Sequence, residues 1–490
     1  MKKGLLFITL LSALCPALRA GDTVRLSLQE AIRIGADKSV NAVIARNQYI
    51  SAYWQYRTYK TELLPEVIFD SRIPYYSKSY STYINENGEY SYVSNNYSRV
   101  DGGLSITQNI PWTGGTLSIN SSLNRLQQYG DNASTSFMSA PASISLNQPI
   151  FGFNRVKWLQ RIEPVKFKEA QLQLASDRET VSRMVIMYYF QLLMAEISLE
   201  IAEQNLENAK KLYEFSEAKR SIGKFSETEL MQMRVSLLNA ESTLTSAAVA
   251  REARMLELRS FLGYGQQAVI APETPDLFAG EGVPLLDYDE VLRLARENSP
   301  FTQNIQRRML EASRDVSQAK ANRRNISLLA SVGMSGTDYD LPQVYNIHNL
   351  RSDQQVSLGI RLPLLDWGKG KGRVKIAEAN REVTQSVIEK EQRDFDQDIF
   401  LKVQDFNNQP LQLQRATEAD RIAQKRYLAS VEAFVVGKID ILTLNDSQTS
   451  KDDARREYIS QMYMLWLYYY EIRGLTLHDF ANGQSLRDDI

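Results

Sequence analysis

Cysteine and histidine are almost missing from this sequence, which contains one cysteine, Cys15, and two histidines, His348 and His478. A lone thiol makes no disulfide framework, and two scattered imidazoles are too few for a zinc or copper site. Excess charge is missing too. The 57 Lys and Arg against 58 Asp and Glu leave a net charge of -1, which argues against broad electrostatic attraction to nucleic acid. Long hydrophobic runs are confined to the first twenty residues. There "MKKGLLFITLLSALCPALRA" has a basic start at Lys2 and Lys3, an apolar core from Leu5 to Leu14 and Ala20 at a plausible cut site, the make-up of a secretory signal peptide. Leu14 stands before Cys15 where a lipoprotein signal needs a small residue, so lipidation is not expected and the processed chain would carry no cysteine. After residue 20 no run approaches the ~18 apolar residues of a membrane helix. Such a chain, if it enters a membrane, must do so as a β-barrel.

Signs of catalysis are equally scarce. "GKGKG" (Gly368 to Gly372) lacks the spacing and closing Lys-Ser/Thr of a phosphate-binding loop, and reads instead as the flexible, basic start of a helix next to a membrane. The carboxylates are abundant but belong to helical stretches, where they read as solvated faces or inter-helix pairs. No enzymatic activity, cofactor or metal is expected.

What is present is a duplication. "SLNQPIFGFNRVKW" and "SLGIRLPLLDWGKG" coincide at Pro149 and Pro363 under a shift of 214 positions. In both, an alternating run meets a proline and a small-residue turn and passes into a long charged, Ala- and Gln-rich stretch, so each is a strand handing over to a helix. At the same shift Lys211, Tyr213, Ser216, Gly223 and Lys224 fall on Lys425, Tyr427, Ser430, Gly437 and Lys438. Nearer the front the shift is 260, with Leu26, Glu30, Arg33 and Ser39 on Leu286, Glu290, Arg293 and Ser299. The difference, 260 minus 214, leaves the first half with about 46 extra residues between Phe69 and Ser143. A repeat this long means two structural halves, because solenoid repeats are ~20 to 50 residues.

The expected organisation follows. A signal peptide (1–20) precedes a first-repeat N-terminal helix (21–64), first-repeat strands with an extra hairpin (65–151), a long helical hairpin (152–265) and a linker (266–284). The second repeat has its N-terminal helix at 285–324, strands at 325–365 and long helical hairpin at 366–477, with a tail at 478–490. Four strands are expected at about 66–84, 90–110, 115–128 and 138–150, and two at about 326–336 and 354–363, with turns at "NENG" (Asn85 to Gly88) and "PWTGG" (Pro111 to Gly115). One face of most strands is Leu, Ile, Val or Met and the other Ser, Asn, Gln or Thr, the pattern of a barrel with lipid outside and water inside. A soluble sandwich could use the same alternation, but the tyrosines at 75, 76, 80, 83, 90, 92 and 97 and the signal peptide favour the outer membrane, where aromatic girdles form. Each long helical stretch would reach roughly 105 Å at ~1.5 Å per residue. The second rod is expected to break and bulge at "FNNQP" (Phe406 to Pro410), and its return to end at Gly474.

The signal peptide, the two unequal halves, the "QPIFGFN" and "LPLLDWGKGKGR" handovers and the G-x-x-x-x-x-x-L turns at Gly223 and Gly437 resemble the TolC-like family of outer-membrane efflux and secretion channels. The resemblance implies an α+β membrane protein: a homotrimer whose strands close one outer-membrane β-barrel, continued by a long periplasmic α-helical barrel, with two internal repeats per chain. Elementary physics also demands assembly, since six strands have open edges and a lone helical hairpin has little core. With six strands per chain, a trimer would have eighteen where the family usually has twelve.

For function, the resemblance implies a passive exit duct of a tripartite pump. It would pass drugs or other small molecules from an inner-membrane transporter and a periplasmic adaptor to the exterior. A type I protein secretion outlet is the alternative within the family, and a periplasmic coiled-coil scaffold the rival outside it. The periplasmic gate would lie at the hairpin turns, with Gly223, Lys224, Gly437 and Lys438 docking the adaptor. Asp446 matches a ring aspartate of the family, Thr443 stands where a second would be, and Thr228 with Glu229 matches a threonine-aspartate pair. Phe434 and Ile439 replace a locking tyrosine and arginine, so Arg220 or Lys438 would have to supply other bonds. His348 would sit in an extracellular loop and His478 in the tail.

Overall fold

The computed structural model describes residues 23–130, 133–221, 226–265, 268–275, 283–323, 325–361 and 364–487. The expected signal peptide, part of the 266–284 linker, Pro363, Gly223 and Lys224 lie outside them.

The first repeat opens with β1 (Thr23–Leu26), α1 (Leu28–Lys38) and α2 (Val40–Thr61), continues through β2 (Glu66–Ile84), β3 (Tyr90–Asn109), β4 (Thr116–Gln128) and β5 (Ser134–Pro149), and closes with α3 (Arg155–Ser221), α4 (Glu227–Leu262) and β6 (Val269–Pro272). The second has α5 (Tyr288–Asn298), α6 (Pro300–Ala321), β7 (Asn325–Asp338), β8 (Arg351–Arg361), α7 (Lys369–Val435) and α8 (Ile441–Thr476), followed by the short strands β9 (His478–Asp479) and β10 (Gln484–Ser485). Helix lengths repeat to the residue: α1 and α5 have 11, α2 and α6 have 22, α3 and α7 have 67, and α4 and α8 have 36. The caps repeat as well. Ser27 and Asp287 cap α1 and α5 through Glu30 and Glu290 N–H, and Ser39 and Ser299 break the chain in extended geometry before α2 and α6. Pro300 then sits at the first position of α6, where its missing N–H costs nothing.

The chain divides into two compact units. One contains residues 1–49, 171–300 and 393–490, and the other 50–170 and 301–392.

The first unit is helical with a contiguous core. Val185, Ile186, Tyr189 and Phe190 of α3 meet Met255, Leu258 and Leu262 of α4, Ile399, Val403 and Phe406 of α7, and Leu465, Trp466 and Tyr469 of α8. The parallel pair β1–β6 lies beside them and is tied down by the Tyr189 hydroxyl, which donates to Leu26 O at 2.7 Å and accepts from Glu273 N–H at 2.8 Å. Gly35 permits close approach of α1 to α3, because a Cβ there would lie 2.4 Å from Val185 Cγ2. One 18-residue window of α3 reaches a mean hydropathy of 1.4, which a search for unbroken apolar runs does not register. Its buried residues show it serving as core.

Two sequence expectations are corrected here. α7 does not break at "FNNQP" but runs unbroken through Pro410. Phe406 is fully buried and Gln409 nearly so, and Asn407 clasps the backbone of Leu286, accepting its N–H and donating to its C=O, both at 2.9 Å. Gln409 donates to Gln461. Tertiary packing of the turn before the proline outweighs the lost backbone bond. α8 likewise continues past Gly474 to Thr476, with Leu477 in the left-handed conformation as its C-cap. Gly474 packs against Glu179 of α3 instead of turning the chain.

The second unit contains a six-stranded antiparallel sheet in the order β2-β3-β4-β5-β7-β8. Its register sorts side chains by face. Val67, Ile106, Ile119, Ile144 and Val332 lie in one cross-strand row, flanked by Phe69 beside Leu104, Leu117 beside Leu146, and Leu328 beside Leu358. The neighbouring row on the opposite face reads Glu66, Thr107, Ser118, Ser145, Ser331 and Gln355. The first face is apolar and exposed, with Phe69 68 % and Val356 77 % accessible; the second is polar. β2 and β3 are longer than their neighbours. β4 stops at Gln128, opposite Tyr97, and beyond that pair Lys78–Ile84 and Tyr90–Asn96 continue as a two-stranded ribbon closed by the turn at Gly88. At the start of α7 the "GKGKG" glycines are held rather than loose, since Asp366 accepts the N–H groups of Gly368 and Gly370 at 3.0 and 2.7 Å.

Candidate functional site

The hairpin ends of the first unit hold the residues singled out from sequence. α7 ends in a glycine cap: Gly437 has φ +78°, its N–H donates to Phe434 O at 3.0 Å, and Lys438 N–H donates to Ala433 O at 2.9 Å. This pair of bonds satisfies the last carbonyls of the helix, and the positive φ suits glycine. Asp440 then starts α8, accepting both the N–H (2.9 Å) and the hydroxyl (2.5 Å) of Thr443. α4 begins with a capping box, in which Glu229 N–H donates to Ser226 Oγ at 3.2 Å and Ser226 N–H to Glu229 Oε2 at 2.8 Å. The Ser226 hydroxyl, and after it the Ser226 N–H, hold the Glu229 carboxyl below the usual glutamate range. Thr228 and Lys438 are exposed.

Asp446 is exposed but paired, with Arg426 Nη2 at 2.5 Å from its carboxylate across the α7–α8 turn. Thus Asp446 is joined to Arg426, Thr443 to Asp440 and Glu229 to Ser226. Among the described residues no hydrogen bond or ion pair links Glu229 or Thr228 to Asp446 or Thr443. Arg220, considered as a lock, pairs with Glu227 at 3.5 Å. A bond that does cross between hairpins near their ends comes from Lys219, whose Nζ donates to Val435 O at 3.2 Å.

Phe434 and Ile439 have a clear role. Phe434 is buried with Met233, Tyr427 and Leu444, and Ile439, Leu212 and Tyr213 pack around them. An apolar cluster thereby joins all four helix ends where the resemblance implies polar bonds. Below it Asn208 donates to Tyr427 Oη at 3.0 Å and Asn205 to Asp452 at 2.6 Å. Lys219 and Arg426 were not singled out from sequence. Each acts across a turn or between hairpins, and no local spacing signals that.

His348 and His478 are separate. The first is exposed beside Asn346, and the second packs its ring on Phe480. Six residues along β2 from Glu66, the same polar face carries an ion pair between Arg72 and Asp101 (3.3 Å). Serine, threonine and asparagine otherwise dominate that face, which offers hydrogen bonds and no reactive constellation.

The sequence model of a family described as outer membrane efflux protein matches residues 107–264 and 291–464. Among solved structures, the Campylobacter jejuni CmeC outer membrane channel is similar with a TM-score of 0.65 and 15 % identity, over 92 % of this chain and 85 % of that one. VceC of Vibrio cholerae gives 0.63 and 13 %, over 94 % and 96 %. The open state of the Neisseria gonorrhoeae MtrE outer membrane channel gives 0.60 and 16 %, over 92 % and 88 %. No curated protein matches by sequence.

Proposed function

Because the chain belongs to the outer membrane efflux protein family and is thereby an outer-membrane efflux channel, we propose that it acts as a homotrimeric exit duct. The duct receives drugs or other small molecules from a periplasmic adaptor and an inner-membrane transporter. The observation that carries this reading is the sheet: one face dominated by aliphatic side chains, one polar face, and an open edge along each of the outer strands. An apolar face suits lipid, a polar face suits a water-filled lumen, and open edges in lipid require more copies. The duct does no chemistry. Its helices form the periplasmic wall, and the exposed turn at Gly437 and Lys438, together with its repeat counterparts Gly223 and Lys224, receives the adaptor. Asp446, supported by Glu229, lends negative charge to the narrow end, which favours cations because a constriction weakens solvent screening. Membrane fractionation tests the reading: the protein should sediment with the outer membrane as a trimer that dissociates on heating, and recovery as a soluble periplasmic monomer would end it.

A further inference from the structure

The six-stranded sheet has two uncovered edges, one along β2 and one along β8. We propose that the added hairpin β3–β4 is barrel wall, and that each β2 edge is completed by β8 of a second copy with Phe69 opposite Leu358, so that three copies close an eighteen-stranded barrel. The copy number rests on the trimer reading above; the strand pairing does not.

The hairpin is assigned to the wall by its side chains. Ile106 and Ile119 sit in the same apolar row as Val67, Ile144 and Val332, and Thr107 and Ser118 in the same polar row as Glu66, Ser145 and Ser331. A hairpin lying over another surface would have no reason to continue both faces of the sheet without a break.

Three features fix the closure. The first is direction: the strands alternate along the whole sheet, so β8 runs antiparallel to β2 and can extend its ladder. The second is parity. Val356, Leu358 and Ile360 lie on the apolar face of β8, and Val67 and Phe69 on that of β2, and a one-residue slip would turn one set into the lumen.

The third is offset. A line across the strands from Glu66 passes Thr107, Ser118, Ser145 and Ser331 and reaches Gln355. Placing Leu358 opposite Phe69 sets Gln355 opposite Arg72, six residues up from Glu66, or one residue of stagger for each of six strands. Stagger equal to strand number corresponds to a tilt of about 36°, inside the range of about 35–45° for membrane barrels. The opposite stagger would bring Gln355 to position 60, inside α2. In this register the 11 residues of β8 cover Glu66 to Tyr76. The pairing therefore stops where the ribbon begins, level with the end of β4 at Tyr97 and Gln128.

Only Cys15, in the expected signal peptide, would compete with introduced thiols. The test uses the full chain in isolated outer membranes with Phe69→Cys and Leu358→Cys combined, oxidised and run on a non-reducing denaturing gel. Those positions lie on opposite edges of one sheet, so the bond must join copies. Most of the monomer should move into covalent dimers and trimers, with at least tenfold less product for Phe69→Cys with Gly359→Cys. Bands ending at the dimer would refute three copies and leave the pairing standing. Native trimers with no link at Leu358, nor at Val356 or Ile360, would overturn the closure.

Val67→Cys with Ile144→Cys tests the hairpin. Two intervening strands put these residues about 14 Å apart, beyond disulfide reach, so an intrachain bond there would overturn the wall assignment. If paired variants fail to insert, single ones decide. A water-soluble thiol reagent should lower single-channel conductance in Thr107→Cys and not in Ile106→Cys; equal effects, or none at either, refute the proposal.

Discussion

Asp446 shares its charge with Arg426. The 2.5 Å contact places a cation beside the carboxylate, and because both side chains are at least half exposed, water and salt screen the pair and limit its worth to stability. If Asp446 lines the narrow end as proposed, its effect on permeating ions exceeds its effect on folding. Removing Arg426 leaves the carboxylate uncompensated, so Arg426→Ala should raise cation selectivity in single-channel recordings, while Asp446→Ala should lower it and Glu229→Ala lower it less. If all three variants keep the parent's reversal potential in a salt gradient, these groups are solvated charges and no selectivity ring exists. Some of this was legible beforehand. The duplication marks Gly437, and the resemblance marks Asp446, but Arg426 lies 20 residues away across a turn and carries no periodic signal. Phe434 and Ile439 could be named as departures; their burial together depends on four helix ends meeting.

At the scale of elements, alternation and proline punctuation located the strands well. "GLSITQN" and "TLSINSSL" lie within β3 and β4, and "PWTGG" stands between them with Gly114 at φ +75°. β5 was less legible. It begins at Ser134, earlier than its apolar pattern suggests, because its first residues pair with the end of β4 across a register shift. Pro410 misled in the other direction, since packing on Phe406 and Gln409 decides its helix and local propensity does not. Gly35 shows how a small residue positions an element. A methyl group there would lie 2.4 Å from Val185 Cγ2, closer than atoms can approach, so either the Val185 side chain or α1 itself must shift. Gly35→Ala should therefore cost about 1–3 kcal/mol, the usual range for overpacking. Thermal unfolding measures this, and Val185→Ala in the same chain should restore part of the loss by making room. A variant as stable as the parent would mean that α1 adjusts freely.

For the whole molecule, the equal helix lengths and unequal strand numbers of the repeats mean that the halves diverged in the sheet and not in the rods. α4 has a face that the described residues leave uncovered: Met231, Val235, Leu238, Val249 and Leu256 are all more than half exposed, and their spacing follows a single stripe. A neighbouring copy would cover such a stripe, each large aliphatic side chain contributing about 1.5–3 kcal/mol on burial. Leu238→Glu should accordingly release monomers at a lower temperature on semi-native gels, whereas Glu241→Gln, three residues along on the same helix, should leave the transition in place. Unchanged melting of the Leu238→Glu trimer would place the subunit contact elsewhere. The β2–β3 ribbon has no such support. Two strands without neighbours are marginal in water, and the wall below Tyr97 keeps its full ladder whether or not they stay paired. The stretch from Lys78 to Asn96 is therefore where the gene can accept insertions, deletions and substitutions most cheaply, and a population exposed to phage or antibodies could alter this surface from strain to strain while the duct beneath it keeps its gauge.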